Sequence, residues 1–168
     1  MNWRENPERV AWLVLSVNFA LCCLLTIAVP LGLRSYLLTA TRPLQSYVMA
    51  TAGTVQFFPA GADEPSAVTD RRAVAERSRI VTDANARSLL TTFATASSGE
   101  LLAATQLFQD TDLRLLAARA PRFPWSPKEV QLSFELQKGR VAVSVQNADT
   151  RPVQVQLRTP HSFITFGS

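Results

Sequence analysis

Few residues of this chain carry side chains suited to catalysis. The sequence has a single histidine, His161, and Ser162 follows it. Neighbours along a strand point to opposite faces of a sheet, so this pair does not predict a catalytic dyad. Asp110 and Asp112 have the spacing of two carboxylates on one face, but aspartates in "QDTD" are also typical of a turn. These patterns favour a non-catalytic protein over an enzyme.

The cysteines and glycines indicate no metal and no cofactor. Cys22 and Cys23 are adjacent within an apolar run, where they can neither cross-link a soluble domain nor supply enough metal ligands. Leu21 occupies a position where a lipidation signal needs a small residue. The 6 glycines form no phosphate-binding loop.

The charge pattern argues against a nucleic-acid partner. The formal net charge is +4, and all but two of the 17 basic residues are arginine. No block of five or six like charges occurs, so the chain has no basic tail. The densest basic segment mixes both signs of charge: Asp70, Arg71, Arg72, Glu76, Arg77 and Arg79.

An uncharged run from Val10 to Leu33 predicts a single transmembrane helix. Its 24 residues would rise about 36 Å, enough to cross a hydrocarbon core of about 30 Å. Pro30 and Gly32 are expected to kink or end this helix. The bilayer is thus a predicted partner, and these large residues are the predicted membrane anchor: Trp12, Leu13, Val14, Leu15, Phe19, Leu21, Leu24, Leu25 and Ile27.

The alternative interpretation of this run is a cleaved signal peptide, whose apolar core is usually shorter. The basic residues flanking the run are nearly balanced, with Arg4 and Arg9 before it and Arg34 and Arg42 after it. We expect the usual layout for a short N-terminus. Residues 1–9 would be cytoplasmic, residues 34–46 would form a connector, and the domain over 47–168 would be extracytoplasmic.

The last third of the chain predicts β-strands. Apolar and polar residues alternate over 130–137, 141–146 and 153–158, which is typical of half-buried strands. Lys138 and Gly139 interrupt the alternation and predict a hairpin turn. With a second turn over 147–152, the three strands are expected to form one antiparallel meander.

The middle of the chain is less distinct. Residues 68–94 have partly helical spacing, but a turn at "TDAN" followed by a strand over 89–93 is the competing interpretation. Strands are predicted over 101–108 and 113–118, and breaks over 59–65, 97–100 and 120–127. The predicted fold class is mainly β: one transmembrane helix followed by an antiparallel β domain, either a sandwich or β-helix-like.

Five segments occur in an order that resembles the FecR-type extracytoplasmic domain: "ATAGTVQFF", "AERSRIVTDANARSLLTTF", "LFQDTDLRLL", "LSFELQKGRVAVSV" and "VQLRTPHSFITFGS". The most specific pieces are Lys138, Gly139, Arg140, Val141 and Val143, together with Thr159 and Pro160. The resemblance covers about residues 48–168 and implies a role in envelope signalling. Nine residues before the anchor are too few for the cytoplasmic segment of the sigma-factor regulators in that family. The family pattern continues past Ser168, so either a truncated domain or one that closes its sheet differently is expected.

Two functions of different class are consistent with these patterns. The first is a membrane-anchored module that binds or signals in the cell envelope of a bacterium through a protein partner. The second is a structural envelope protein that self-associates through an open sheet edge. Trp125, in the proline-rich break, is expected to pack over the edge of the sheet, and it is also the candidate partner-contacting residue.

Overall fold

A computed structural model describes residues 7–62, 64–94, 100–146 and 151–167. The chain divides into two compact units, with the boundary between Ala40 and Thr41. The first unit contains one helix, α1 (Pro7–Thr39). The second is a β domain.

Helix α1 confirms the predicted apolar helix but is longer than expected. It continues through Pro30 and Gly32 to Thr39, so the expected end near Pro30 is wrong. A proline removes one hydrogen bond, whereas the leucines around it favour helix. The Ala40 N–H bonds to the Tyr36 carbonyl at 2.8 Å and completes the last turn. The connector predicted over 34–46 is therefore divided between the helix and the first strands.

The β domain alternates between two sheets. Within the described residues its strands are β1 (Thr41–Pro43), β2 (Gln45–Ala52), β3 (Val55–Phe58), β4 (Ser66–Ala67), β5 (Arg72–Val74), β6 (Arg79–Thr82), β7 (Arg87–Phe93), β8 (Leu101–Leu107), β9 (Asp112–Pro121), β10 (Val130–Lys138), β11 (Val141–Val145), β12 (Val153–Arg158) and β13 (Phe163–Gly167). The first sheet has the order β13-β12-β10-β9-β6-β3-β4, with β1 also paired to β9. The second sheet has the order β11-β8-β7-β2-β5.

The two sheets form a sandwich-like arrangement, as predicted for the mainly β fold. The strands bury alternate residues, which follows from the period of two along a β-strand. Buried side chains from both sheets belong to one apolar cluster that includes Val48, Leu90, Leu115 and Phe134. Burying each of the larger side chains contributes about 1.5–3 kcal/mol to stability.

The predicted hairpin at Lys138–Gly139 is wrong, although its two strands form where predicted. Strand β10 lies between β9 and β12, and β12 runs parallel to it. Strand β11 belongs to the other sheet, where it pairs antiparallel with β8. Residues 138–140 therefore carry the chain from one sheet to the other. Alternation of apolar and polar residues shows that each strand has one buried face. It does not show which sheet a strand belongs to, because strands on opposite sides of one core have the same alternation.

The middle segment is β rather than helical. Strands β5, β6 and β7 occupy residues 68–94, with a turn at Ala84–Asn85 between the last two. Ile80, Thr82, Leu90 and Thr92 are buried at alternate positions, so the strand interpretation is confirmed. The predicted strands over 101–108 and 113–118 are β8 and β9. Residues 95–99 and 147–150, which include parts of a predicted break and turn, lie outside the described residues.

Four connections between the sheets meet at one end of the sandwich. They join β2 to β3, β6 to β7, β8 to β9 and β10 to β11, and we call this the crossover end. Its residues are 53–54, 83–86, 108–111 and 139–140. At Gly53, a Cβ atom would lie 2.8 Å from the Ala86 Cα. These connections approach too closely for a side chain at that position.

Replacing Gly139 by alanine tests how closely the crossover connections are packed. Gly139 has a φ of +95°, and an added Cβ would lie 2.5 Å from both the Asp110 oxygen and the Thr111 Cα. We expect Gly139→Ala to lower the free energy of unfolding by about 2–4 kcal/mol, because strain and steric overlap add. Denaturant titration of the full chain in detergent micelles measures this loss.

Gly61→Ala is the matched control. Gly61 also has a positive φ, +78°, but no heavy atom lies within 4 Å of the added Cβ. We expect a loss of about 1 kcal/mol from backbone strain alone. Equal losses in the two variants would contradict the close approach at Gly139.

Candidate functional site

The predicted membrane-anchor residues all lie on α1 and are exposed: Trp12, Leu13, Val14, Leu15, Phe19, Leu21, Leu24, Leu25 and Ile27. Within Val10–Thr39, an 18-residue segment has a mean hydropathy of 2.3, and none of that segment is buried within the protein. The 30 residues of Val10–Thr39 would rise about 45 Å, more than the hydrocarbon core of a bilayer. This length and composition are consistent with a single membrane pass.

Thr111, fully buried, is the centre of the crossover end. Its N–H donates to Thr82 Oγ1 at 2.9 Å, and its carbonyl accepts from the Thr82 N–H at 2.9 Å. The Thr111 hydroxyl accepts from the Arg140 N–H at 3.1 Å and donates to the Arg140 carbonyl at 3.0 Å. Thr82 Oγ1 in turn donates to the Phe108 carbonyl at 2.6 Å. These bonds hold two of the sheet-to-sheet connections and the end of β6 together.

The FecR-like residues therefore divide between two places. Lys138, Gly139 and Arg140 form the connection beside Thr111, and Val141 and Val143 are half-buried on β11. The Arg140 guanidinium lies 4.7 Å from the centre of the Phe108 ring. Thr159 and Pro160 lie instead in the turn between β12 and β13, where Thr159 Oγ1 and Ser162 Oγ are 2.8 Å apart. These contacts give the motif residues a structural role.

The acidic and basic residues considered for chemistry also have structural contacts. Arg79 forms a double hydrogen bond with Asp112, at 2.8 and 2.6 Å. Asp110 has a φ of +50°, as expected of a turn residue. The Arg71 guanidinium lies 4.1 Å from the centre of the Tyr47 ring. These geometries match the turn interpretation of Asp110 and place the densest basic segment against aromatic rings and a carboxylate.

His161 lies in the exposed turn before β13, where its backbone N–H donates to Thr159 Oγ1 at 3.4 Å. Cys22 and Cys23 are exposed on α1. Among the residues that the structure describes, no three His, Cys, Asp or Glu side chains are grouped as a metal site would require.

We call the end of the sandwich opposite the crossover end the proximal end, because β1 begins there, and a concave surface lies at this end. This groove has a volume of about 520 Å³. Among the described residues, the charged side chains of its lining are Arg42, Arg122, Arg151 and Glu100, which together carry a net charge of +2 by residue type. The remaining lining residues are Ala94, Leu102, Ala120, Pro121, Phe123, Pro124 and Val130.

Trp125 lies beside this groove in the irregular segment between β9 and β10, as the sequence predicted. Its side chain is 62% exposed, and its ring stacks on Phe123 with centres 5.3 Å apart and planes 14° apart. Arg151 Nη2 donates to the Phe123 carbonyl at 3.2 Å and also to the Pro124 carbonyl. The segment thus presents a flat aromatic pair beside arginine side chains.

A second exposed apolar surface is the edge strand β13. It pairs only with β12 within the described residues, in an antiparallel register from Phe163 opposite Arg158 to Gly167 opposite Gln154. Phe163 is 63% exposed and Ile164 46% exposed. The strand contains no charged residue and no proline, which are the usual features that keep an edge from pairing with another chain.

Comparison with known proteins gives no identification: no family model, no curated protein and no solved structure matches the chain.

Sequence reasoning found Trp125 but missed the groove beside it. Arg42, Arg122 and Arg151 are far apart in the sequence, and only the pairing of β1 with β9 brings the first two together. The one sequence signal for this groove was that Arg42 follows closely after the apolar helix, three residues after the last residue of α1. Thr111 was missed as well, because a threonine between two aspartates indicates only a turn.

The ion pair between Glu76 and Arg119 predicts a dependence of stability on pH. The Arg119 guanidinium, bonded to both carboxylate oxygens at 2.8 and 2.7 Å, holds the pKa of Glu76 below its ordinary value of 4.5. The contribution to stability is thus present above pH 4.5 and lost as the pH falls through the lower, folded-state pKa. We expect Glu76→Gln to destabilise the full chain by about 0.5–1.5 kcal/mol at pH 7, and the difference from the native chain to shrink towards pH 3.

Denaturant titrations at both pH values, made in detergent micelles, measure this difference. Glu135→Gln is the control, because Glu135 lies 3.8 Å from Arg114 in a single, longer contact. We expect it to change stability by less than about 0.5 kcal/mol. A difference for Glu76→Gln that is the same at pH 7 and pH 3 would contradict the assignment.

Proposed function

We propose that this protein is a single-pass membrane protein whose β-sandwich is a FecR-type extracytoplasmic module. The module binds a partner in the bacterial cell envelope and serves in binding or signalling without catalysis. The FecR-type assignment rests on the five sequence segments quoted above and their order.

One observation carries the proposal. Helix α1 exposes its large apolar side chains throughout, while the β domain buries its own separate core. Exposed apolar surface of this extent is unfavourable in water by about 25 cal/mol per Å². A bilayer covers such a helix, whereas the β domain buries its own core. This difference supports a membrane anchor joined to a separate β domain.

A pair of C-terminal fusions to the full chain tests this proposal in a bacterial host. Alkaline phosphatase is active only outside the cytoplasm, and green fluorescent protein exported in unfolded form fluoresces only inside it. We expect phosphatase activity without fluorescence, and retention of the chain in membranes washed at alkaline pH. Fluorescence without phosphatase activity would overturn the orientation, and release by the alkaline wash would overturn the anchor.

The exposed edge β13 supports a second candidate, self-association into a structural assembly of the envelope. An uncharged edge strand with Phe163 and Ile164 exposed can pair with the same strand of a second copy and so continue the sheet. In the described part of the other sheet, the edge strand β11 exposes Ala142 and Ser144, and the edge strand β5 exposes Arg72 and Ala73. The first sheet therefore offers the more apolar edge.

Light scattering coupled to size-exclusion chromatography of the full chain in detergent micelles tests self-association. If β13 pairs between copies, the mass will rise with protein concentration, and Phe163→Lys will weaken association at least about tenfold, because a charge would be buried at the new edge. Met49→Lys is the control, since Met49 is an exposed apolar residue on β2, inside the other sheet. A monomer at every concentration tested would count against assembly.

A further inference from the structure

The groove at the proximal end lies beside the start of the β domain. In the pairing of β1 with β9, Thr41 lies opposite Pro121 and Arg42 opposite Ala120. The segment carrying Phe123 and Trp125 leaves β9 at this point. Thr41 is the second residue after Thr39, where α1 ends. The groove and the aromatic pair are thus built around the residues that follow the anchor directly.

This position is near the surface of any bilayer that α1 spans. The uncharged part of the helix covers the hydrocarbon core, and the rest of its length covers much of the interfacial region. Three residues of extended chain reach at most about 11 Å, so Arg42 cannot be far from the last helical residue. Lipid headgroups would therefore be the most concentrated ligand available to the groove.

The groove has the chemistry of a phosphate site. Arginine presents a planar fork of N–H donors that fits two oxygens of a phosphate. Arg151 is held in place by the carbonyls of Phe123 and Pro124, and Arg42 donates only a long bond, 3.4 Å, to the Ala94 carbonyl. With Arg122, these side chains outnumber the single carboxylate of Glu100 in the lining.

The aromatic pair fits the same ligand. A tryptophan that is 62% exposed is unusual on a surface that meets only water, since its indole is mostly apolar. At a membrane interface, tryptophan favours the headgroup level, with its ring among the lipids and its N–H towards water. Stacking on Phe123 keeps the ring flat beside the arginines.

We propose that the groove formed by Arg42, Arg122 and Arg151 binds the phosphate of an anionic phospholipid headgroup, with Trp125 inserted beside it at the bilayer surface. This inference rests on the membrane anchorage proposed above and adds a ligand to it.

Native mass spectrometry of the full chain in detergent micelles tests the proposal. Phosphatidylglycerol and phosphatidylcholine of the same acyl chains are added separately, so that nonspecific binding to α1 is common to both. We expect phosphatidylglycerol to bind at least tenfold more tightly. Each of Arg42→Gln and Arg122→Gln is expected to weaken that binding about fivefold, with no change for phosphatidylcholine.

Arg87→Gln is the charge-matched control, because Arg87 lies at the crossover end, 6.0 Å from the Phe108 ring. It is expected to leave the preference intact. Equal affinity for the two lipids, or equal loss in the control, would overturn the proposal. Inorganic phosphate is added as a competitor, and displacement of the lipid at millimolar phosphate would assign the groove to a free anion instead. The lipid measurement in micelles does not require insertion into a bilayer. A chain that is released by the alkaline wash but still prefers phosphatidylglycerol would therefore contradict the anchor and leave the lipid site supported.

Discussion

The β domain depends on the buried hydrogen bonds of Thr111. One residue uses its N–H, carbonyl and hydroxyl to bind Thr82, the last residue of β6, and Arg140, in the connection from β10 to β11. Each such group left unpaired in the interior would cost about 1–3 kcal/mol, so the connections stabilise one another. Gly139 has no side chain at the point of closest approach, which allows the Arg140 backbone to reach the Thr111 hydroxyl. The order of strands in both sheets follows from this arrangement.

The two ends of the sandwich consequently differ in what they can do. The crossover end uses its polar groups to hold the fold together, and its arginines stack on Phe108. The proximal end contains a longer irregular segment, an open groove and an exposed tryptophan. Binding residues are commonly found on loops that a rigid scaffold positions. The proximal end and the edge strand β13 are therefore the surfaces on which a function is proposed, while Gly139 and Arg140 belong to the scaffold.

Local pattern predicted the elements of this protein, and long-range pairing set their arrangement. The apolar run predicted α1, since the backbone hydrogen bonds of a helix in lipid are made within the helix itself. The helix nevertheless continues past Pro30 to Thr39, beyond the predicted end. Alternation predicted β10, β11 and β12, whereas the assignment to sheets depended on contacts such as that of Val143 with Thr105, distant in sequence. The groove could not be predicted for the same reason: its arginines come together only through the pairing of β1 with β9 and the contact of Arg151 with the loop that follows β9.

Cysteine cross-linking tests the crossing of the chain at Gly139 most directly, because both candidate surfaces depend on it. Strand β11 pairs with β8, where Ala142 lies opposite Gln106, whereas a hairpin with β10 would bring Ala142 opposite Glu135. Directly opposed residues have Cα atoms about 4.5–5.5 Å apart, within the range of a disulfide. In a full chain lacking Cys22 and Cys23, oxidation should join A142C to Q106C and leave A142C unjoined to E135C. A disulfide between A142C and E135C, with none to Q106C, would contradict the fold described.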